Sequence, residues 1–482
     1  MTADYVAYHA AERPAALAVL HNGRALSFVE LDRDIRRAMD ALGALGVRPG
    51  GSVAVSTDDL YLHWLLLLAC ERLGIAAASV GPGEASLREL DHLWASVDMV
   101  LTAPDIVVAG TRRYQALTPS WIEDALAGAP PGDMPAPRKM PNDPVRIVRT
   151  SGTTGLSKRF LVTRRMHDAL SAEWQWGFAL GPRCRYLQTL SLLVRATFDL
   201  GSACLRAGGT LVLESRMQFL DAISAHAITH AIVLPIHLKA SLDRLPPDFT
   251  KPPELAIVSF GAALSDALRA RAMARLATSI CDLYGTVEVS IASAIWRPGT
   301  DGVGTVWPGV RVEAVDERGT VVPRGEMGRL RIKTGWMSLG YLDDPETTAR
   351  MFRDGWFYPG DVAVIGPGGG LKILGRADDL INIGGKKFLP AVLEDLLMKH
   401  AIAGDVGVSS LPGADGVEEL RIAVAGAHGS DQELIDRILE ALRRFQVGHF
   451  KVVQLGRIPR SANGKLQRQE LRDEIARLID SR

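Results

Sequence analysis

Lys+Arg and Asp+Glu balance at 55 each in this chain of 482 residues, which excludes a general electrostatic attraction to nucleic acid or anionic membrane, so any phosphate ligand has to be held locally. The length is too great for one compact core and suggests two to four units of about 100 to 200 residues. A composition of 47% hydrophobic and 23% charged residues excludes a disordered or fibrous chain. Cys70, Cys184, Cys204 and Cys281 form no CxxC pair or metal-finger spacing and read as reduced, mostly buried thiols. The opening MTADYVAYHAAERP has an early acid and no uninterrupted apolar core, so it does not read as a secretory signal, and a cytoplasmic protein is expected.

Leu31, Ile35, Ala38, Leu42 and Leu45 recur at helical spacing, and GVRPGG then turns the chain into the strand SVAVS. The apolar window Leu62 to Cys70 is interrupted by His63 and followed by Glu71-Arg72. It falls well short of the roughly 20 residues of a spanning helix and reads as a buried helix. Gly74 to Val80, Met99 to Leu101 and Ile106 to Val108 are further strand candidates. This rhythm predicts parallel strands covered by helices. The Pro- and Gly-dense run from Ala125 to Asp143 reads as a surface connection leading to the strand Arg146-Ile147-Val148.

Past residue 158 the same rhythm continues. Phe198 to Leu213 reads as a helix, a stop at Gly208-Gly209 and a strand, and Ile228 to Leu234 and Leu255 to Ser259 are strands followed by helical patterns. From about 290 to 375 the texture changes to short runs (RVEAVD, GRLRIKT, DVAVIG, LKILG) separated by Gly, Pro and Asp. Such runs predict hairpins in a separate small sheet or barrel.

The candidate chemistry begins directly after the Arg146-Ile147-Val148 strand, where nucleotide sites commonly sit in open α/β sheets. Arg149 to Lys158 reads RTSGTTGLSK: Thr150, Ser151, Thr153 and Thr154 surround Gly152 and Gly155, and Lys158 closes the run. Glycines let the backbone approach an anion, hydroxyls add donors, and an ammonium meets the remaining charge. The spacing is not that of a Walker A loop. Alone, such a stretch is as readily a flexible turn.

The stretch resembles the TSGTTGxPK phosphate-binding signature of the adenylate-forming superfamily, which includes acyl-CoA synthetases, peptide-synthetase adenylation domains and luciferases. Ser157 replaces the usual proline, and Arg159-Phe160 replaces a glycine and an aliphatic residue. Further resemblances follow in family order. Tyr284-Gly285-Thr286-Val287-Glu288 is similar to YGxTE, which implies that Tyr284 covers the adenine, that Gly285 and Thr286 lie at the nucleotide and that Glu288 helps to hold Mg²⁺. Val287 takes the position of the usual threonine and Thr286 falls one residue early. GWMSLGYLDDPETTARMF and DGWFYPGDVA resemble GYxxxPExT and GWxxTGD, which makes Asp361 a ribose ligand. Gly375 to Asp379 resembles the GRxDD hinge, with Arg376 on the ribose and Asp378 as the pivot. LINIGGKKFLP resembles the thiol-access loop, assigned to Gly385, with Lys387 where many relatives have an arginine. PRSANGKLQRQELR resembles PxxxxGKxxRxxL, which makes Lys465 the lysine that reaches both carboxylate and α-phosphate. Ser259 to Ala262 resembles the GGA segment of the acyl tunnel, so Phe260 and Gly261 are the acyl-pocket candidates, and an inward Phe260 would favour a short or aryl acid.

These matches run from about residue 150 to 470. They imply an α/β enzyme with a large N-terminal domain (1–375) of parallel-type sheets plus a β-rich subdomain at about 290–375, a hinge at 376–379, and a small, mobile α+β C-terminal domain at 380–482. The implied reaction is ATP- and Mg²⁺-dependent adenylation of a small carboxylic acid, with Lys465, Lys158 and Glu288 as catalytic residues. Transfer to CoA, or to the phosphopantetheine of an acyl or peptidyl carrier protein, would follow. Two rivals stay open: an enzyme that loads a carrier protein or activates an amino acid, and a nucleotide-binding regulator without turnover. Phe198-Asp199-Leu200-Gly201 bears on the first rival, because peptide-synthetase domains hold an α-ammonium with the aspartate of FDxS. Here Gly201 replaces the serine and Asp199 can simply cap a helix, so an acid without a free α-amino group is expected.

Overall fold

The computed structural model describes residues 1–81, 93, 96–104, 113–128, 140–150, 158–383, 386–412, 418–427, 430–443, 450–461 and 464–480. Helices begin where the sequence provides caps. Ser27 and Glu30 form a reciprocal capping box at the start of the Phe28–Ala44 helix, and Asp59 accepts from the Leu62 N–H at the start of Leu60–Leu73. Gly74, at φ 71°, ends the second of these in the left-handed conformation that a side chain would strain. The Leu60–Leu73 helix is buried from Tyr61 to Glu71, which accounts for its nearly unbroken apolar sequence.

Six strands form one sheet in the order Tyr114–Ala116, Met99–Thr102, Ser52–Ser56, Ala76–Ser79, Pro144–Arg149, Arg159–Thr163. All neighbours are parallel except the last pair. That pair is antiparallel with Arg149 opposite Arg159, and the Thr150 N–H donates to the Lys158 carbonyl at 2.9 Å. The two ends of the phosphate loop are thereby held side by side at the sheet edge. Residues 151–157 of that loop, and the strand candidate Ile106 to Val108, lie outside the described residues.

A second, fifteen-stranded sheet contains the parallel run Leu17–His21, Thr210–Leu213, Arg185–Leu187, His230–Val233, Ala256–Phe260 and Ser279–Tyr284. The expectation of a separate small sheet after residue 290 is corrected here. Ser293–Ile295 pairs antiparallel with Ser279–Tyr284, Val303–Val306 pairs with it in turn, and Leu371–Arg376 and Asp361–Ile365 continue the ladder. The hairpin region thus extends the parallel sheet, because the edge of Ser279–Tyr284 would otherwise leave its N–H and C=O groups unpaired.

One apolar core joins residues of both sheets, and Trp64 of the Leu60–Leu73 helix stacks on Phe198 of the Arg195–Arg206 helix within it. The C-terminal part has its own three-stranded sheet, Asp405–Pro412, Glu418–Ala425 and Phe450–Gln454. Helices Pro390–Lys399, Asp431–Leu442 and Arg468–Asp480 accompany it, with two further apolar clusters. All four cysteines are buried and unbridged, yet Cys184 and Cys204, distant in sequence, bring their sulfurs to 3.6 Å. Among the described residues no helix is long and apolar enough to cross a membrane.

Candidate active site

Motifs far apart in sequence converge at Lys158 and Arg159. The Lys158 ammonium lies 5.2 Å from the centre of the Tyr341 ring, and the Tyr341 hydroxyl donates to Glu288 Oε1 at 2.7 Å. The Ser338 N–H also donates to the Glu288 carbonyl. Leu342 bonds back to the Arg159 carbonyl, and Arg159 pairs with Asp343 at 2.8 Å. Lys158, Tyr341 and Glu288 therefore share one wall. Tyr341 was not singled out from the sequence, although it stands in the very GYLDDPE run that signalled the family.

A second cluster forms around Asp361, at the start of its strand and buried. Its carboxylate accepts from the Tyr284 hydroxyl at 2.5 Å and from Arg376 Nη1 at 3.3 Å. Burial pushes the Asp361 carboxyl up from its ordinary value, against the opposing pull of Tyr284, Arg376 and the Lys465 charge. Lys465 thus acts on the same site, from the turn in which the Ser461 N–H donates to the Lys465 carbonyl and the Lys465 N–H to Ser461 Oγ. A Cβ on Gly464 would stand 3.5 Å from Ile236 in the large parallel sheet's Pro235–Asp243 helix, so this C-terminal turn rests against the N-terminal part.

Gly285 sits where a Cβ would overlap the Ser290 carbonyl, which explains a glycine in the turn after the strand. Thr286 Oγ1 is buried with no hydrogen-bond partner, and a phosphate oxygen would satisfy it. Val287 is partly buried against the core, and its carbonyl accepts from Arg195 Nη1. No three His, Cys, Asp or Glu side chains come together among the described residues. A lone Glu288 carboxylate fits an ion that draws most of its oxygens from substrate and water.

Asp199 does not cap its helix. The helix starts at Arg195 with Val194 as N-cap, so Asp199 lies in the second turn, where it pairs with Arg195 at 3.4 Å and accepts from Ser290 Oγ at 2.9 Å. Gly201 faces Trp64, whose ring a Cβ would meet at 2.5 Å. Packing, and not substrate choice, accounts for the missing serine of FDxS.

A cavity opens beside the loop, bounded by Ser79, Arg146, Thr150, His167, Arg195 and Phe198 among others. Phe260 and Gly261 are not on its wall: Phe260 ends the Ala256–Phe260 strand and packs against the core, and Gly261 is exposed. Asp378 lies in the single turn Ala377–Asp379, whose Asp379 pairs with Arg468 at 2.7 Å, while Arg468 also pairs with Glu394. Ser151, Gly152, Thr153, Thr154 and Gly155, together with Gly385 and the Lys387 side chain, lie outside the described residues.

Comparison with known proteins agrees with this convergence. Residues 6–342 match the family model described as AMP-binding enzyme. The chain is 27% identical to the fatty acid (acyl-carrier-protein) ligase ScoC of Streptomyces coeruleorubidus, over 97% of this chain and 95% of that protein. It is 29% identical to the 4-coumarate CoA ligase 2 of Oryza sativa subsp. japonica, over 98% and 92%. Among solved structures it is similar to ATP-bound MatB from Rhodopseudomonas palustris, with a TM-score of 0.86 at 25% identity over 98% of this chain and 99% of that one. The chain therefore belongs to the AMP-binding enzyme family, within the adenylate-forming superfamily.

Proposed function

We propose that this enzyme activates a carboxylic acid with ATP, releasing pyrophosphate and forming an acyl-adenylate, and then transfers the acyl group to a thiol, that of CoA. The single observation that carries the reading is the joining of two contact sets by the turn Tyr284 to Glu288: Glu288 meets Tyr341 and through it Lys158, and Tyr284 meets Asp361, on which Arg376 and the Lys465 charge also act. Attack of a carboxylate on the α-phosphorus brings anions together, so the residues act by positioning and by their field. Lys465 offsets the charge that builds up between carboxylate and α-phosphate, Lys158 receives the leaving pyrophosphate, and Thr286 donates to a phosphate oxygen. Asp361 and Arg376 orient the ribose through charge-assisted bonds. Glu288, oriented by Tyr341, would hold Mg²⁺, which when bound neutralises phosphate charge.

The second half-reaction needs Lys465 out of the site and a thiol in it, and Asp378 is the pivot for that change. Residues 1–375 and 380–482 then move as two bodies. The acid lacks a free α-amino group, because Asp199, the residue that would hold an ammonium, already has Arg195 and Ser290 as partners. A carrier-protein thiol is the second reading for the acceptor, favoured by the similarity to ScoC, whose name gives an acyl-carrier protein as its partner. Pyrophosphate release from a panel of acids with ATP and Mg²⁺, followed by thioester formation with CoA or a phosphopantetheinylated carrier protein, tests the reading. Absence of pyrophosphate from every acid, the amino acids included, would overturn it in favour of a regulator.

A further inference from the structure

The cavity beside the loop has a volume of about 240 Å³, and two arginines on its wall are only 4% (Arg146) and 6% (Arg195) exposed. Arg146 comes from the Pro144–Arg149 strand. Its Nη2 donates to Ser79 Oγ at 3.0 Å and to the Leu192 carbonyl at 3.4 Å, and its guanidinium lies 4.1 Å from the centre of the Phe198 ring. Nε and Nη1 of Arg146 are buried with no partner. Arg195, in the first turn of its helix, gives Nη1 to the Val287 carbonyl and pairs through Nε with Asp199, while its Nη2 is buried and unpartnered.

Carboxylates act on both guanidiniums, Asp199 and Glu71 on Arg146 and Asp199 and Glu288 on Arg195, yet donors are left over on each. Asp199 is the only carboxylate on the cavity wall among the described residues. Glu71 acts on Arg146 from behind, but burial raises its carboxyl to about 7, and it already accepts the Ala3 N–H. His167 is lowered to about 3 by burial and is neutral. Burial lowers Arg146 to about 10, which leaves it charged at neutral pH, and burial also lowers Arg195 from its ordinary value. Buried guanidinium donors without partners are costly, and an anion in the cavity would satisfy them. Each guanidinium has single donors left over, Nε and Nη1 on Arg146 and Nη2 on Arg195, so a carboxylate between the two arginines would accept one charge-assisted hydrogen bond from each.

We propose that the acid activated by this enzyme is a dicarboxylate, whose distal carboxylate is bound by Arg146 and Arg195 while its reacting carboxylate faces the phosphate loop at Thr150. The inference rests on the acid-activating reading above. Arg195 joins the two sites physically, since the Val287 carbonyl it holds belongs to the turn that carries Thr286 and Glu288. The arginines select the substrate and take no part in the bond changes at phosphorus.

The test compares succinate, glutarate, adipate and the phthalate isomers, each beside its own mono-amide, which keeps the shape and removes one charge. The wild-type enzyme should release pyrophosphate with at least one dicarboxylate at a kcat/KM on the order of tenfold to a hundredfold above that of its mono-amide, the range of a charge-assisted hydrogen bond. Arg146→Gln and Arg195→Gln should each collapse that ratio toward one, and Arg146→Lys should restore part of it. Mono-amides turned over as well as the dicarboxylates would overturn the inference and leave adenylation standing. Thermal shift with the same pairs in the absence of ATP separates the two ideas. Stabilisation by dicarboxylates alone, without pyrophosphate release from any acid, would sustain the anion site and sink the adenylation reading. Equal stabilisation by both members of every pair would sink the anion site.

Discussion

Lys465 is exposed, and among the described residues its backbone hydrogen-bonds to Ser461, so its removal should leave the fold intact and act on the first half-reaction alone. Lys465→Ala is expected to lower single-turnover pyrophosphate release by several orders of magnitude while thioester formation from a supplied acyl-adenylate continues. Equal loss in both halves would refute its assignment. Tyr341→Phe removes one donor to the Glu288 carboxylate. It should reduce kcat/KM for ATP about tenfold, the effect of one charge-assisted bond, with an accompanying shift in the Mg²⁺ titration. At the neighbouring turn, Val287→Thr should change adenylation by no more than about 0.5 to 1.5 kcal/mol, because Thr286, with its buried and unpartnered hydroxyl, supplies the donor.

A fourth residue makes a pH-dependent prediction. Asp282, which accepts from the Leu264 N–H, has its carboxyl raised from 3.8 to about 6 by burial, against weaker opposing pulls from Leu264, Arg269 and Ser259. The folded state therefore binds this proton more tightly than the unfolded state, and stability falls as pH rises from about 4 through about 6. Asp282→Asn should remove a penalty of up to about 3 kcal/mol above that range, read as a higher Tm at pH 8 and little change at pH 4. An unchanged difference between variant and wild type across that window would show that the carboxyl ionises freely.

At the scale of elements, the Arg195–Arg206 helix serves the site with one face and the core with the other. Its Arg195 and Asp199 face the cavity, and Gly201 admits the Trp64 ring of the Leu60–Leu73 helix. Gly201→Ser should therefore cost about 1 to 3 kcal/mol by overpacking, seen as a lower midpoint in urea with an unchanged slope. Gain of activity toward amino acids in that variant would contradict the packing explanation. The strand Pro144–Arg149 has the same double character: Val145, Ile147 and Val148 are core residues, and Arg146 is charged in the middle of them. An arginine flanked by Val145 and Ile147 inside this strand is the sequence signal for the cavity.

For the molecule as a whole, among the described residues, the C-terminal sheet and its helices meet the rest through polar contacts such as Lys399 with Asp301 and Arg468 with Asp379, through the turn at Gly464, and through Leu389 and Ala391 beside Gly375. Contacts of this kind are weak enough for one body to leave the other. Asp378→Pro, which fixes φ at the pivot, is expected to adenylate near the wild-type rate and to fail in thioester formation. Equal impairment of both steps would remove Asp378 from the hinge role.

The sequence alone determined the family, the α/β rhythm and the order of the motifs proposed to meet phosphate, Mg²⁺ and ribose, because each of those features is written in a short contiguous run. Periodicity also located the Leu60–Leu73 helix and strands such as Ser52–Ser56, Ala76–Ser79 and Ala256–Phe260. Tertiary structure decided what those runs meet. The hairpin region's attachment to the parallel sheet depends on which edge is left unpaired. Asp199's engagement by Arg195 and Ser290, and the convergence of Tyr341 on Glu288, depend on side chains brought together from separate elements. The pairing of Arg146 with Arg195 around one cavity is of the same kind: burial and charge balance are properties of a packed neighbourhood, and a linear pattern contains neither.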